Sequence, residues 1–398
     1  MATLIDTKID VNKDYWITIE PYVFVMSNNN GMMLYNTLDT SIIHVHSHDC
    51  KSIVNEILDK ENCGVAFLGK AKLMNKEIYD FISELRLKFM GDAIDVTLSS
   101  TKPVQFIPSL NLQNNISRLK KEVDISAGEN IMEYLHEVTI NVDNKTNNLS
   151  FASLASVIDE IEISNVGNIQ LTGNIGEYSH IKDLIATINL LQVDKNFLLD
   201  YNQIGDYLFF FNNHFFIKLI ITFPLNGQLW NNSWNIISNQ KENVEFIFKV
   251  ASEYDIELSK NIIAKYDIQF YHYLPEYNNQ NDEFFRKNVF FTVEDILSSP
   301  LSVSEIFAHQ TLNTFDFGKI TILSNGDVYA NVHYPAIGNI AIHTIHEIIY
   351  KEMNEGISWL RIRDQYPCNN CIYQWLCPSP SNYEILLDRP NLCHYSLP

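Results

Sequence analysis

NIQLTGNIGEYSHIKDLIATINLLQVDKNFLLDY (168–201) runs from one strand-like segment to another across a helical pattern. Asn168–Thr172 and Asn196–Tyr201 have strand character, whereas Ile181, Leu184, Ile185, Ile188 and Leu191 recur at helical spacing. The same alternation extends to both sides. Further candidate strands are Val104–Leu110, Val138–Val142, Ile217–Phe223, Val244–Val250 and Ile268–Tyr273. One intervening helix opens with a capping box, Ser126 to Glu129, ahead of Ile131, Met132 and Leu135. Strands alternating with helices predict an α/β fold on a parallel sheet, closed or partly closed into a barrel, over 100–282. Tyr277–Asp282 (YNNQND) reads as a polar linker at its end.

Residues 1–95 read as a unit of their own. Tyr15–Met26 and Met32–Leu38 are strand-like around the turn at 27–31, and Ser41–His46 forms a third strand. Helices follow, with Ile53, Val54, Ile57 and Leu58 on one face, then Ile78, Phe81, Ile82 and Leu85 over 76–90. Three strands followed by helices make a winged-helix-like module with an exposed strand edge, a surface suited to an extended peptide. At the other end, 315–398, Lys319–Leu323 and Val328–Val332 flank Ser324-Asn-Gly-Asp327, a hairpin signal. A helix carrying Ile345, Ile348, Ile349 and Met353 comes next, and the chain then becomes loop-rich and cysteine-rich.

The 398 residues have 46% apolar content, enough for two or three cores, and a formal net charge of -20. That charge repels phosphate backbones and anionic headgroups, so it argues against nucleic acid or membrane surfaces and favours a basic partner. The N-terminus lacks the basic start and apolar run of a signal peptide, and Tyr207–Leu225 is interrupted by Asn212, Asn213, His214 and Lys218. The expected location is cytoplasmic.

Four of the six cysteines fall in the last 31 residues as Cys368, Cys371, Cys377 and Cys393, spaced C-x2-C-x5-C-x15-C. A C-x2-C pair lets two thiolates converge on one centre, and a cubane cluster needs four such ligands. A structural zinc site also takes four cysteines, usually as two short-spaced pairs, which Cys377 and Cys393 do not form. A dithiol redox pair needs only Cys368 and Cys371. An iron–sulfur cluster is the leading expectation and zinc the alternative metal.

LSNGDVYANVHYPAIGNI (323–340) and CNNCIYQWLCPSPSNYE (368–384) resemble the SPASM-type C-terminal extension of radical-SAM peptide maturases. With YNTLD (35–39), PSLNLQ (108–113) and CPSPSNYE (377–384), the whole chain resembles the pseudo-radical-SAM proteins of Bacteroidales double-glycine-leader peptide systems. The resemblance implies a partial radical-SAM-like (β/α) barrel and one auxiliary 4Fe-4S cluster on Cys368, Cys371, Cys377 and Cys393. It implies no first auxiliary cluster: Asn331 and Ser381 stand at two of its cysteine positions, and a third is missing near 310–317. Active members carry C-x3-C-x2-C just after the first barrel strand; the corresponding stretch, read as LNLQNNISRLK (110–120), has no cysteine. The glycine motif that holds the cosubstrate is reduced to LTGNIGEY (171–178), keeping Gly173. S-adenosylmethionine is therefore not an expected ligand. The implied role is non-catalytic, binding a precursor peptide or a partner maturase in peptide modification.

Other features read more plainly. His44, His46 and His48 could form a metal comb on a strand, or simply run into the next helix at Asp49. His343-Thr-Ile-His346-Glu347 lacks the H-E-x-x-H order and reads as a helix edge. Tyr207–Phe216, Trp230 and Trp234 read as core, and Trp375 as a water shield for the cluster. An enzymatic alternative, redox or transferase, would use the barrel mouth, where Gln113 and Asn114 are polar candidates.

Overall fold

The computed structural model describes residues 9–29, 31–99, 101–110, 131–142, 150–162, 164–205, 215–238 and 243–395. The first stretch contains β1 (Tyr15–Ile19), β2 (Val23–Asn28), β3 (Gly31–Asn36), β4 (Ile42–Val45), α1 (His48–Leu58), β5 (Val65–Leu68), α2 (Lys70–Leu73), α3 (Lys76–Leu87), β6 (Gly91–Asp95) and β7 (Ser109–Leu110). The expected single strand Tyr15–Met26 is two strands in two sheets. Pro21 has no amide hydrogen to offer a ladder, and Val23 N donates back to Glu20 O (3.0 Å), turning the chain between them. β1 is central in the antiparallel order β5-β1-β6, while β2 lies in the order β4-β3-β2-β7. The helical faces match expectation: Ile53, Val54 and Ile57 of α1 and Ile78, Phe81, Ile82 and Leu85 of α3 are buried.

Val104–Leu110 is not a strand of the parallel sheet. Only Ser109 and Leu110 pair, alongside Phe24 and Val25 of β2, and Val104 and Phe106 stay exposed. The parallel sheet begins instead with β8 (Glu137–Asn141). It continues through α4 (Phe151–Glu162), β9 (Asn168–Thr172), α5 (Ile181–Ile188), β10 (Asp194–Asp200), β11 (Phe216–Ile221), α6 (Gly227–Ile237), β12 (Val244–Val250), α7 (Glu253–Tyr266) and β13 (Tyr271–Pro275). Three short helices follow, α8 (Asp282–Asn288), α9 (Val293–Ser298) and α10 (Val303–Thr311). Then β14 (Lys319–Ile322), β15 (Asp327–Tyr329) and β16 (Gly338–Asn339) rejoin the same sheet, whose order is β13-β12-β11-β10-β9-β8-β14-β15-β16. β14 is parallel to β8, and the expected hairpin turns antiparallel beside it. The result is a mixed α/β structure on a nine-stranded, mostly parallel and open sheet.

A parallel sheet covered on both faces reads as continuous apolar runs. Here the strands alternate. Val138, Ile140, Ile169, Leu171, Phe197 and Leu199 are buried beneath helices, with Leu154, Leu184 and Ile188 among their partners. Each such side chain contributes about 1.5–3 kcal/mol. The opposite face is mixed: it carries the half-buried Thr139, Gln170, Lys218 and Glu245 beside Leu198, Phe216, Ile220 and Ile247.

The tail is anchored by α11 (Ile345–Glu355), which opens with the capping box Thr344/Glu347 and ends at Gly356, whose φ of 63° suits glycine. The side chain of Glu352 is buried, and its Oε1 accepts from Ser358 N (2.8 Å) and Trp359 N (2.7 Å). Burial raises the carboxyl above its usual range. A carboxyl with a raised folded-state pKa holds its proton more tightly in the folded chain. Its contribution is therefore present below the unfolded-chain value and lost as pH rises toward the folded one. Glu352→Gln keeps an acceptor for both amides without that titration. Urea midpoints of the two proteins should diverge as pH rises above the ordinary carboxylate range, the wild type falling relative to the variant. Parallel profiles would show that Glu352 is ionised in the folded chain.

Candidate metal centre

After α11 the chain has little regular structure beyond a 3-10 turn at Cys368–Asn370 and α12 (Asn382–Leu386). The turn brings Cys371 N to Cys368 O (2.9 Å), and a second turn brings Cys377 N to Tyr373 O (3.0 Å). Cys393 arrives from further along, held in a bridge to Phe291: Phe291 N donates to Leu392 O and His394 N to Phe291 O, each at 2.9 Å. All four thiols line one cavity, together with Arg363, Tyr373, Asn391 and Tyr395. They ring this space rather than gripping a point. Among the described residues, no three His, Cys, Asp or Glu side chains are arranged to hold a single metal ion.

The donor set suits a sulfur-ligated cluster. Tyr373 N–H points at Cys371 Sγ (3.4 Å) and Asn391 Nδ2 at Cys393 Sγ (3.2 Å), and such bonds tune the potential of thiolate-ligated iron. Arg363 supplies positive charge beside Cys377 and Cys368. Its guanidinium donates to the carbonyl of Pro378 and to Glu384 Oε1 (2.9 Å), in a pair whose side chains are only 4% and 5% exposed. Burial pushes Cys377 up to about 12 and Cys371 up to about 11, and raises Cys368 as well, with Arg363 opposing each shift. Without a bound group these thiols hold their protons, which any metal must displace. Arg363 carried no signal in the sequence, and Glu384 only as the end of CPSPSNYE.

Behind the cavity, the cysteine loop packs on the four-stranded sheet. Phe24, Met26, Met33 and Tyr35 meet Ile296, Ile306, Ile362, Trp375 and Leu376 in one core. Trp375 is 1% exposed but lies in this core and not on the cavity wall, so it supports the loop from behind. Tyr35 Oη accepts from Leu301 N (3.0 Å), and His44 Nε2 shares a hydrogen bond with Tyr373 Oη (2.8 Å).

The positions expected to have lost a first cluster lie close together. Buried Asn331 donates through Nδ2 to Asp316 Oδ2 (3.0 Å) and to Asn382 Oδ1 (2.5 Å). Ser358 Oγ also donates to Asp316 Oδ2 (3.0 Å), and Arg361 lies 3.5 Å from the same oxygen. Ser381 caps α12. A polar network thus joins these segments.

Among the described residues β8 is the first strand of the parallel sheet, and the residues after it are Val142-Asp-Asn-Lys-Thr146-Asn-Asn-Leu-Ser150-Phe-Ala-Ser153. They too contain no cysteine, and Thr146, Ser150 and Ser153 keep the x3, x2 intervals with hydroxyls. Ser150 precedes α4, with its Oγ 2.8 Å from Ser153 Oγ and accepting from Ser153 N. Residues 143–149 lie outside the described residues, as do 111–120, the capping box at 126–129, Gln113 and Asn114, and the aromatic run 207–214. Phe215 is buried against Phe197, a core role. At the strand ends, Gly173 adopts φ 94° and is followed by Asn174, whose Oδ1 accepts from Gln203 Nε2 (2.8 Å).

The remaining histidines do not gather. His44 in β4 stacks on His46 just beyond the strand, whereas His48 begins α1 with its side chain 98% exposed. His343 and His346 are exposed at the start of α11, and Trp230 is buried. No helix among the described residues is long and apolar enough to cross a membrane.

No protein-family model and no curated protein matches the chain. Among solved structures it is similar to Streptococcus suis SuiB bound to S-adenosylmethionine, at 12% identity and a TM-score of 0.44, over 96% of this chain and 99% of that one. It is also similar to SuiB bound to the precursor peptide SuiA, at 12% identity and a TM-score of 0.43 over the same shares.

Proposed function

We propose that this chain is a non-catalytic, cytoplasmic component of a peptide-modification system, carrying one auxiliary 4Fe-4S cluster on Cys368, Cys371, Cys377 and Cys393 and binding a precursor peptide or its maturase. The observation that carries the cluster reading is the common cavity: thiols from both ends of a 26-residue span ring one space bounded by a buried arginine and sulfur-directed donors. Bound there, a cluster would tie the last segment to the loop and exchange single electrons. The non-catalytic reading rests on the sequence after β8, where hydroxyls stand at the intervals that cysteines would need. The peptide role rests on the motifs at 323–340 and 368–384.

Purified anaerobically, the chain should hold about four iron and four acid-labile sulfides, with the absorbance of a cubane cluster. It should also co-migrate with a precursor peptide from its own gene neighbourhood. Stoichiometric zinc without iron would overturn the cluster and favour a zinc-stabilised module.

One observation favours an enzymatic alternative. Burial raises the carboxyl of Asp200 at the carboxyl end of β10, opposed by Lys249, in the region where open α/β sheets collect chemistry. A mass change in the peptide produced by this chain alone, and abolished by Asp200→Asn, would establish that reading.

A further inference from the structure

A second cavity, of about 490 Å³, adjoins the thiol cavity and shares Arg363 and Cys368 with its lining. That volume falls within the range of small-molecule sites. Its wall brings together Arg361, Arg363 and Arg389, three of the six arginines in the chain, and no lysine. Two carboxylates line it as well, Glu384 and Asp388. A chain of net charge -20 thus encloses a cleft whose lining is net positive.

The three guanidiniums are held in different ways. Arg363 is committed to Glu384 (2.9 Å) and to the carbonyl of Pro378. Arg361 donates to Pro380 O (2.8 Å), lies 3.5 Å from Asp316 Oδ2, and sets its Cζ 5.7 Å from the ring centroid of Tyr334. Its Nε is buried and has no hydrogen-bond partner among the described residues. A buried donor left unmet is costly, and a ligand oxygen would relieve it. Arg389 is exposed, lies over the ring of Phe290, and joins no ion pair among the described residues.

Packing therefore accounts for Arg361 and Arg363, which hold carbonyls of the tail in place. It leaves Arg389 beside them, adding a like-charge repulsion that an anion in the cleft would offset. A guanidinium is a planar fork of donors matched to the oxygens of carboxylate and phosphate. Two of these forks are fixed before any ligand arrives, which lowers the cost of binding one. Tyr334 and Tyr366 give the same cleft aromatic surface for the remainder of the molecule.

We infer that this cleft binds a small molecule bearing an oxyanion, a carboxylate or a phosphate, with its charge at Arg361 and Arg389 and its apolar body along Tyr334 and Tyr366. Cys368 borders this site and the thiol cavity alike, so the ligand would lie beside the proposed metal centre. The inference depends neither on the peptide role nor on which metal the thiols hold.

The test titrates the full chain, purified anaerobically, with benzoate, phenyl phosphate and neutral benzamide at low ionic strength, followed by calorimetry or ligand-observed NMR. At least one of the two anions should bind, benzamide should bind at least tenfold more weakly, and salt should weaken the anion. A tighter benzoate identifies the group as a carboxylate, and a tighter phenyl phosphate identifies it as a phosphate ester. Arg389→Glu changes an exposed side chain, so its urea midpoint should match wild type while its affinity for the anion falls tenfold or more. Arg389→Lys keeps the charge without the fork and should lose less. Failure of both anions to bind, equal affinity for benzamide, or an Arg389→Glu chain that binds the anion as tightly as wild type would overturn the assignment.

Discussion

Cys377→Ser is expected to lower iron from about four per chain to well below one. Burial pushes the Cys377 thiol up to about 12, and serine would leave a protonated hydroxyl in its place. Because the proposed thiolate–metal bonds would also close the loop, the loss should extend to stability, by several kcal/mol on the scale of structural metal sites. The control is Cys63→Ser: Cys63 is exposed and stands far from the cavity in sequence and fold, so its iron content should match wild type. Iron is measured with urea unfolding on the same preparations. Equal iron in Cys377→Ser and wild type would remove Cys377 from the ligand set.

The second large effect concerns Arg363, which is held against Glu384 with both side chains almost wholly enclosed. Arg363→Ala strands a buried carboxylate and frees the carbonyl of Pro378, so about 3–5 kcal/mol of stability should be lost. Replacing both partners by apolar residues, Arg363→Met with Glu384→Leu, removes the stranded charge and should recover a large part of that loss. In cluster-loaded protein, losing a cation beside Cys377 and Cys368 should also move the reduction potential to a more negative value. Denaturation gives the first result and redox titration the second. An Arg363→Ala chain as stable as wild type, with an unshifted potential, would show that the pair only fills space.

Legibility followed how much of each signal is local. The strands from β8 to β12 and the helix between β9 and β10 were readable because alternation and helical spacing are properties of a few neighbouring residues. Tyr15–Met26 misled because the run favours strand throughout and Pro21 alone marks its break. Val104–Leu110 has strand composition but finds a partner only at its last two residues. β6 (GDAID) was invisible, since it has little apolar pattern of its own and is defined by pairing with β1. The four cysteines announced themselves by type and spacing. Arg363 is an ordinary charged residue in sequence, and only tertiary burial against Glu384 makes it a charge partner of the site. Which strand comes first in the parallel sheet also depends on long-range pairing, which sequence could not rank between 104–110 and 137–141.

The hydrogen bond between His44 and Tyr373 spans 329 residues of chain. At roughly 5–20 residues per second of synthesis, the face bearing Phe24, Met26, Met33 and Tyr35 leaves the ribosome tens of seconds before its covering loop exists. The core between β1 and α3 can close early, since its partners are near in sequence, but the other side of this unit remains a sticky apolar surface on the nascent chain. Chaperone capture at that stage, and aggregation of chains truncated before residue 362, are the natural liabilities of a protein whose beginning is completed by its end.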